Sequence, residues 1–139
     1  MKPPSKTVRR RLGGVPDTAP PSHPLFVYGT LRRGFSNHRL LGEARWLGTA
    51  KTKGHFAMYA SGVPYVVLTE HVCPIVGEVY DVAPRLLAGL DAHEGHPRWY
   101  RRVLVDVVLD GGTGLQAWLY SFPVARGRLV PSGDFADAQ

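Results

Sequence analysis

Cysteine is all but missing from this sequence. The lone thiol, Cys73, excludes an intramolecular disulfide and any cysteine-based zinc site. Nothing points to an oxidising compartment, and a cytoplasmic location is expected. Long apolar runs are absent too: no stretch approaches the ~20 residues of a membrane span, and the N-terminus lacks the apolar core of a secretory signal. No membrane partner is expected. Acidic residues are scarce at the start, where Lys2, Lys6, Arg9, Arg10 and Arg11 face Asp17 alone, so most of the formal charge of +6 sits in the first 22 residues. A basic balance held in a tail argues against a nucleic-acid-binding face on the folded part.

What is present starts near Pro24. Residues 1–23 carry five prolines, the pair Gly13-Gly14 and few large apolar side chains, and read as a flexible basic, proline-rich tail. Residues 24–139 are long enough for one domain with one core. Leu25-Phe26-Val27 reads as a buried strand, Ala44–Ala60 as one bent strand or two short ones, Tyr65–Leu68 and Ile75–Val82 as further strands, with a turn at Gly62 and Pro64. Pro84 and the leucines at 86, 87 and 90 make the best helix, ended by Gly95. Trp99–Leu109 and Leu115–Phe122 form a hairpin across Asp110–Gly114, Ser36 or Asn37 caps a short turn that Gly42 stops, and Pro123–Gln139 shows little pattern. Many strands, one good helix and short connections predict an α+β fold.

The first strand ends in Tyr28-Gly29-Thr30-Leu31. A glycine there lets the backbone turn at angles other residues resist, and the loop it opens presents main-chain N–H groups able to hold a carboxylate or an oxyanion. An ordinary tight turn has the same signature. Glu94 stands at the C-terminal end of the predicted helix, where the carbonyl dipoles disfavour a carboxylate and push its pKa up, as an acid–base group requires. A solvated glutamate at a helix end is the plainer alternative.

Taken together, FVYGTLRRGFSNHRLL (26–41), Ile75-Val76-Gly77-Glu78-Val79-Tyr80, Leu90-Asp91-Ala92-His93-Glu94-Gly95, Tyr100-Arg101-Arg102 and Trp118-Leu119-Tyr120-Ser121 resemble the gamma-glutamylcyclotransferase-like superfamily, which includes gamma-glutamylamine cyclotransferases and plant avirulence-induced proteins. The resemblance covers about residues 24–135. It implies a small, mixed or antiparallel six-stranded barrel with short flanking helices. It also implies cleavage of a γ-glutamyl amine or amide by the substrate's own α-amino group, giving 5-oxoproline and a free amine. Glu94 falls on the family's catalytic glutamate, and Tyr28, Gly29, Thr30 and Leu31 on its substrate loop. A binding module that keeps the same pocket for a small carboxylate-bearing ligand is the alternative.

The partner is thus a small γ-glutamyl molecule, and neither a metal nor an organic cofactor enters the scheme. Tyr100 and Tyr120, on predicted strands, either give hydroxyls to the substrate or pack. Arg102 pairs with a carboxyl or supports the loop. Asn37 and His38 read as loop-fixing residues, and Asp91 as a structural carboxylate. His93 and His96 flank Glu94 at a helix end, where their directions diverge, so they do not read as metal ligands. Arg32-Arg33 reads as a solvated pair near the pocket mouth, and Cys73 as packing.

Overall fold

An apolar run without alternation, such as Leu25-Phe26-Val27-Tyr28, persists in a strand only where both faces are covered. The computed structural model, which describes residues 23–139, shows both covers. Strand β1 (His23–Val27) sends Phe26, followed by Tyr28, into one buried cluster, and Leu25 and Val27 into another. The expected flexible tail lies outside the described residues, apart from His23, which is already paired opposite Val82.

The chain continues through a 3-10 turn (His38–Leu41), β2 (Arg45–Thr52), β3 (Ala57–Ser61), β4 (Val63–Val67), β5 (Val76–Val82), α1 (Pro84–Glu94), β6 (Arg101–Leu109), β7 (Gly114–Ser121), β8 (Arg128–Leu129) and a second 3-10 turn (Phe135–Ala138). Strands β1-β5-β2-β6-β7 form a closed barrel, and β4-β3-β8 a separate sheet. The barrel therefore has five strands, where six were expected. The β3–β4 hairpin pairs with β8 instead of joining the wall. A register shift between Trp46 and Gly48 bends β2, the device by which few strands turn a tight corner. All barrel pairings are antiparallel except one, the parallel contact of Leu25 with Trp118 that closes the ring.

One cluster combines Phe26, Val79, Val107 and Leu119 of the barrel with Met58 and Val66 of the second sheet. Each side chain of this kind contributes ~1.5–3 kcal/mol on full burial. The patternless C-terminal stretch also belongs to it: Val130 and Phe135 are buried there. The other cluster seats α1, whose Leu87 and Leu90, three apart on one face, pack with Leu25, Val27, Tyr80 and Val82. Pro84 opens the helix, and Gly95 ends it in the left-handed conformation (φ 71°).

Two local expectations are corrected. Gly62 (φ 77°) makes the turn, but Pro64 lies inside β4, opposite Ala60. Arg32 is not solvated: its Nη1 meets Asp134 Oδ1 at 2.7 Å, and its Nε lies 3.7 Å from Glu78 Oε2. Arg33 lays its guanidinium over Trp46 at 3.8 Å, and its main-chain N–H donates to the buried Glu78 carboxylate at 2.9 Å. This basic pair thus fastens the loop to β5 and to the C-terminal segment.

Candidate active site

The loop after β1 is held from within. Asn37 N–H donates to Thr30 O (2.9 Å) and Asn37 Nδ2 to Thr30 Oγ1 (3.0 Å). His38 Nδ1 lies 2.9 Å from Leu31 O, so that ring nitrogen carries a proton, because a carbonyl can only accept. The amide of Asn37 is engaged with Thr30 and makes no side-chain cap on the 3-10 turn. Gly29 is required for a reason other than the one expected. Its φ is not positive; a Cβ on it would lie 2.5 Å from Pro64 Cγ. The glycine permits close approach of β4, so Pro64 rather than a turn demands it.

Among the described residues, the N–H groups of Gly29, Thr30 and Leu31 have no hydrogen-bond acceptor. These residues line a cleft of about 150 Å³ together with Tyr28, Glu94, Tyr100 and Tyr120. The structure thus brings all seven sequence-selected residues to one cavity. It adds Val63 and Pro64 from the β3–β4 hairpin, Asn37 from the loop and His93 beside Glu94. Nothing in the sequence marked Val63 or Pro64 as site residues, Pro64 having read as a turn marker, because a hairpin tip becomes a wall only when the second sheet docks.

Glu94 is the last residue of α1, and among the described residues its carboxyl has neither a hydrogen-bond nor an ion-pair partner. Burial pushes its pKa up from 4.5 to about 7. The direction matches the expectation from the helix end, but the cause is desolvation. Asp91, on the same helix, is the opposite case. Burial raises its pKa, but hydrogen bonds from Arg102 and Tyr120 and the Arg102 charge outweigh that and hold it below the ordinary carboxylate value. Arg102 grips it through Nε (2.8 Å) and Nη2 (3.0 Å), which resolves the alternatives for Arg102 in favour of the carboxyl. Its guanidinium also stacks 4.1 Å over Trp118.

The three tyrosines keep their protons. Burial raises Tyr28, Tyr100 and Tyr120 above the ordinary phenol value, with further contributions from neighbouring charges. Each hydroxyl already donates within the protein: Tyr28 to Tyr120 O, Tyr100 to Pro64 O (2.9 Å) and Tyr120 to Asp91 Oδ1 (2.7 Å). They shape the cleft with their rings, and the donors left over are the main-chain N–H groups. His96 Nδ1 accepts from Arg102 N–H at 3.0 Å. Among the described residues, no three His, Cys, Asp or Glu side chains are grouped to hold a metal, and no helix is long and apolar enough to cross a membrane.

Comparison with known proteins adds an independent line. The family model described as gamma-glutamyl cyclotransferase, AIG2-like, matches residues 25–137. A Methanocaldococcus jannaschii protein named "Putative gamma-glutamylcyclotransferase" is 48% identical over 114 residues, covering 81% of this chain and 95% of that one. The gamma-glutamylaminecyclotransferase of Bos taurus is 34% identical over 125 residues, covering 78% and 70%. Among solved structures, a protein from Pyrococcus horikoshii superposes with a TM-score of 0.70 at 30% identity, over 84% of this chain and 92% of that one. A mouse AIG2-like protein gives 0.65 at 28%, over 72% and 76%.

Proposed function

We propose, from the premise that this chain belongs to the gamma-glutamyl cyclotransferase, AIG2-like family, that it releases an amine from a γ-glutamyl amide by intramolecular aminolysis, leaving 5-oxoproline, with Glu94 as the proton carrier. The observation that carries this reading is the unpartnered, half-buried Glu94 carboxyl with its pKa near 7 in the same cleft as three unused N–H groups.

The nucleophile is tethered to the carbonyl it attacks, so the main requirement is to hold the glutamyl chain in a five-membered near-attack geometry. The N–H groups of Gly29, Thr30 and Leu31 would bind the α-carboxylate or the oxyanion that forms. Glu94 starts as a carboxylate and takes a proton from the α-ammonium. The freed amine attacks the γ-carbonyl, and the carbon–nitrogen bond to the leaving group breaks as Glu94 returns that proton to the leaving nitrogen. The second proton that the attacking nitrogen loses on becoming the lactam N–H passes through the same carboxylate, and the product amine departs as an ammonium. No water is consumed. A carrier with a pKa near 7 suits both transfers, because it lies only about one unit below an α-ammonium.

The test is a panel of γ-glutamyl amides assayed for 5-oxoproline. Release from at least one supports the enzyme. Saturable binding of 5-oxoproline with no release from any of them would leave the alternative, a carboxylate-binding module built on the same donors.

A further inference from the structure

The cleft does not end at Glu94. His93, Glu94 and Tyr100 are also walls of a second, more open hollow of about 500 Å³ on the far side of the carboxyl. Its floor is aromatic. Tyr65 and Tyr100 lie parallel, 5.8 Å apart with 2° between their planes, and Phe122 meets both edge-on at 4.8 and 5.2 Å. Trp99, 58% exposed, stands at its side. Arg126 completes the lining, its guanidinium 5.2 Å from the centre of the Phe122 ring.

The main chain at Arg126 is set by its neighbour, while the side chain itself is exposed. Gly127 (φ 83°) comes so close to β3 that a Cβ there would collide with Ala60 O, so the loop between β7 and β8 has a fixed seat. Among the described residues Arg126 has no carboxylate partner. The adjoining groove adds Arg98 and Arg101. The carboxyl in the lining is Glu94, which the proposed reaction protonates as it begins, and Asp91 on the same helix is ion-paired with Arg102. The hollow is therefore apolar below and cationic at its rim.

We infer that this hollow is the subsite for the leaving amine, and that it selects amines carrying both a carboxylate, met by Arg126, and an aromatic or large apolar group, laid on Tyr65, Tyr100 and Phe122: γ-glutamyl conjugates of α-amino acids rather than of polyamines. The inference rests on the cyclotransferase reading. It follows from placement: a glutamyl end anchored at Gly29–Leu31 leaves its scissile nitrogen at Glu94, and whatever that nitrogen carries extends away from the loop. A cationic tail would meet Arg126 and, once Glu94 has taken the α-ammonium proton, no ionised carboxyl among the lining residues.

The experiment compares γ-glutamyl-phenylalanine with γ-glutamyl-phenethylamine, which differ only in the carboxylate, and adds the mono-γ-glutamyl conjugate of cadaverine. The parent chain is expected to favour the phenylalanine conjugate over the phenethylamine one by roughly 2- to 5-fold in kcat/KM, mostly through KM, since a charge-assisted pair at an exposed arginine falls in the surface range. Arg126→Gln should bring that ratio close to one, and Arg126→Lys should keep part of it. An unchanged ratio in Arg126→Gln, or a parent preference for the cadaverine conjugate, overturns the assignment. If none of the three releases 5-oxoproline, the wider amide panel decides the cyclotransferase reading. Calorimetric titration of the first two amides then decides the subsite alone: tighter binding of the phenylalanine conjugate that Arg126→Gln removes upholds it, and equal binding ends it.

Discussion

Asp91 and Glu94 stand three residues apart at the end of one helix, and the fold treats them in opposite ways. Asp91 meets β6 and β7, where Arg102 supplies two hydrogen bonds and Tyr120 a third, so its charge is matched on every side. Glu94 lines the cleft with Tyr28, Tyr100, Tyr120 and Pro64, and no donor among the described residues reaches its carboxyl. The same chemical group is thereby a fixed anion in one position and a proton carrier in the other. Burial raises both pKa values, more strongly at Glu94, and only Asp91 has the hydrogen bonds to reverse it.

The strongest way to break that contrast is to remove one proton site at a time. Glu94→Gln keeps size and polarity, and should lower 5-oxoproline release by roughly two to four orders of magnitude while 5-oxoproline binding weakens little. Asp91→Asn should keep kcat within about fivefold, since Asp91 holds Tyr120 and Arg102 and passes no proton. The reverse pattern would exchange the two roles and sink the assignment of Glu94.

Titration sharpens the contrast further. Because Glu94 must start ionised, kcat/KM should fall about tenfold per pH unit below an apparent pKa near 7, roughly 100-fold by pH 5. Asp91→Asn should leave that limb in place. A limb near 4.5 would mean that the carboxyl is solvated in the working enzyme.

Stability effects are smaller and opposite in sign. Asp91→Asn strips a part-buried guanidinium of its anion and should cost about 1–3 kcal/mol at neutral pH, read by urea unfolding. The folded pKa of Asp91 is lowered, so its contribution is present above the unfolded value of 3.8 and is lost as pH falls through the lower folded value. Glu94 has the opposite linkage. Its folded pKa is raised, so the native state holds the proton more tightly, and that advantage, present below 4.5, is lost as pH rises through about 7. Glu94→Gln should therefore stabilise the protein by about 1–2 kcal/mol at pH 8, allowing for partial exposure, and should make no difference at pH 4. Equal melting temperatures for parent and variant at pH 8 would show that desolvation of Glu94 is small.

The sequence made the local half of this arrangement readable. The helix could be placed because Pro84, the leucines and Gly95 are signals within one segment, and that placed Glu94 at its end. The Tyr28–Leu31 loop could be placed because an apolar run stops there. Non-local causes could not be read. Desolvation of Glu94 depends on a hairpin about 30 residues earlier in the chain, and Gly29 is needed because of Pro64, which in the sequence resembles a turn marker. Arg32 looked solvated because its partners, Glu78 and Asp134, are remote. The barrel closes at five strands because β3 and β4 leave the wall for β8, a two-residue strand in a stretch with no period of its own.

The parallel contact between Leu25 and Trp118 has a consequence for how the chain is made. β1 leaves the ribosome ahead of the other barrel strands; its first barrel partner, β5, follows about 50 residues later, and the strand that closes the ring about 90 residues later. At ~5–20 residues per second, a strand destined to be buried on both faces spends several seconds with neither neighbour and on the order of ten seconds before it has both. Pro24 before the run and Arg32-Arg33 after it are residues of the kind that keep such a segment from pairing with other chains. The arginines that later clamp the loop to Glu78, Asp134 and Trp46 thus stand guard over the nascent strand before the fold has given them partners.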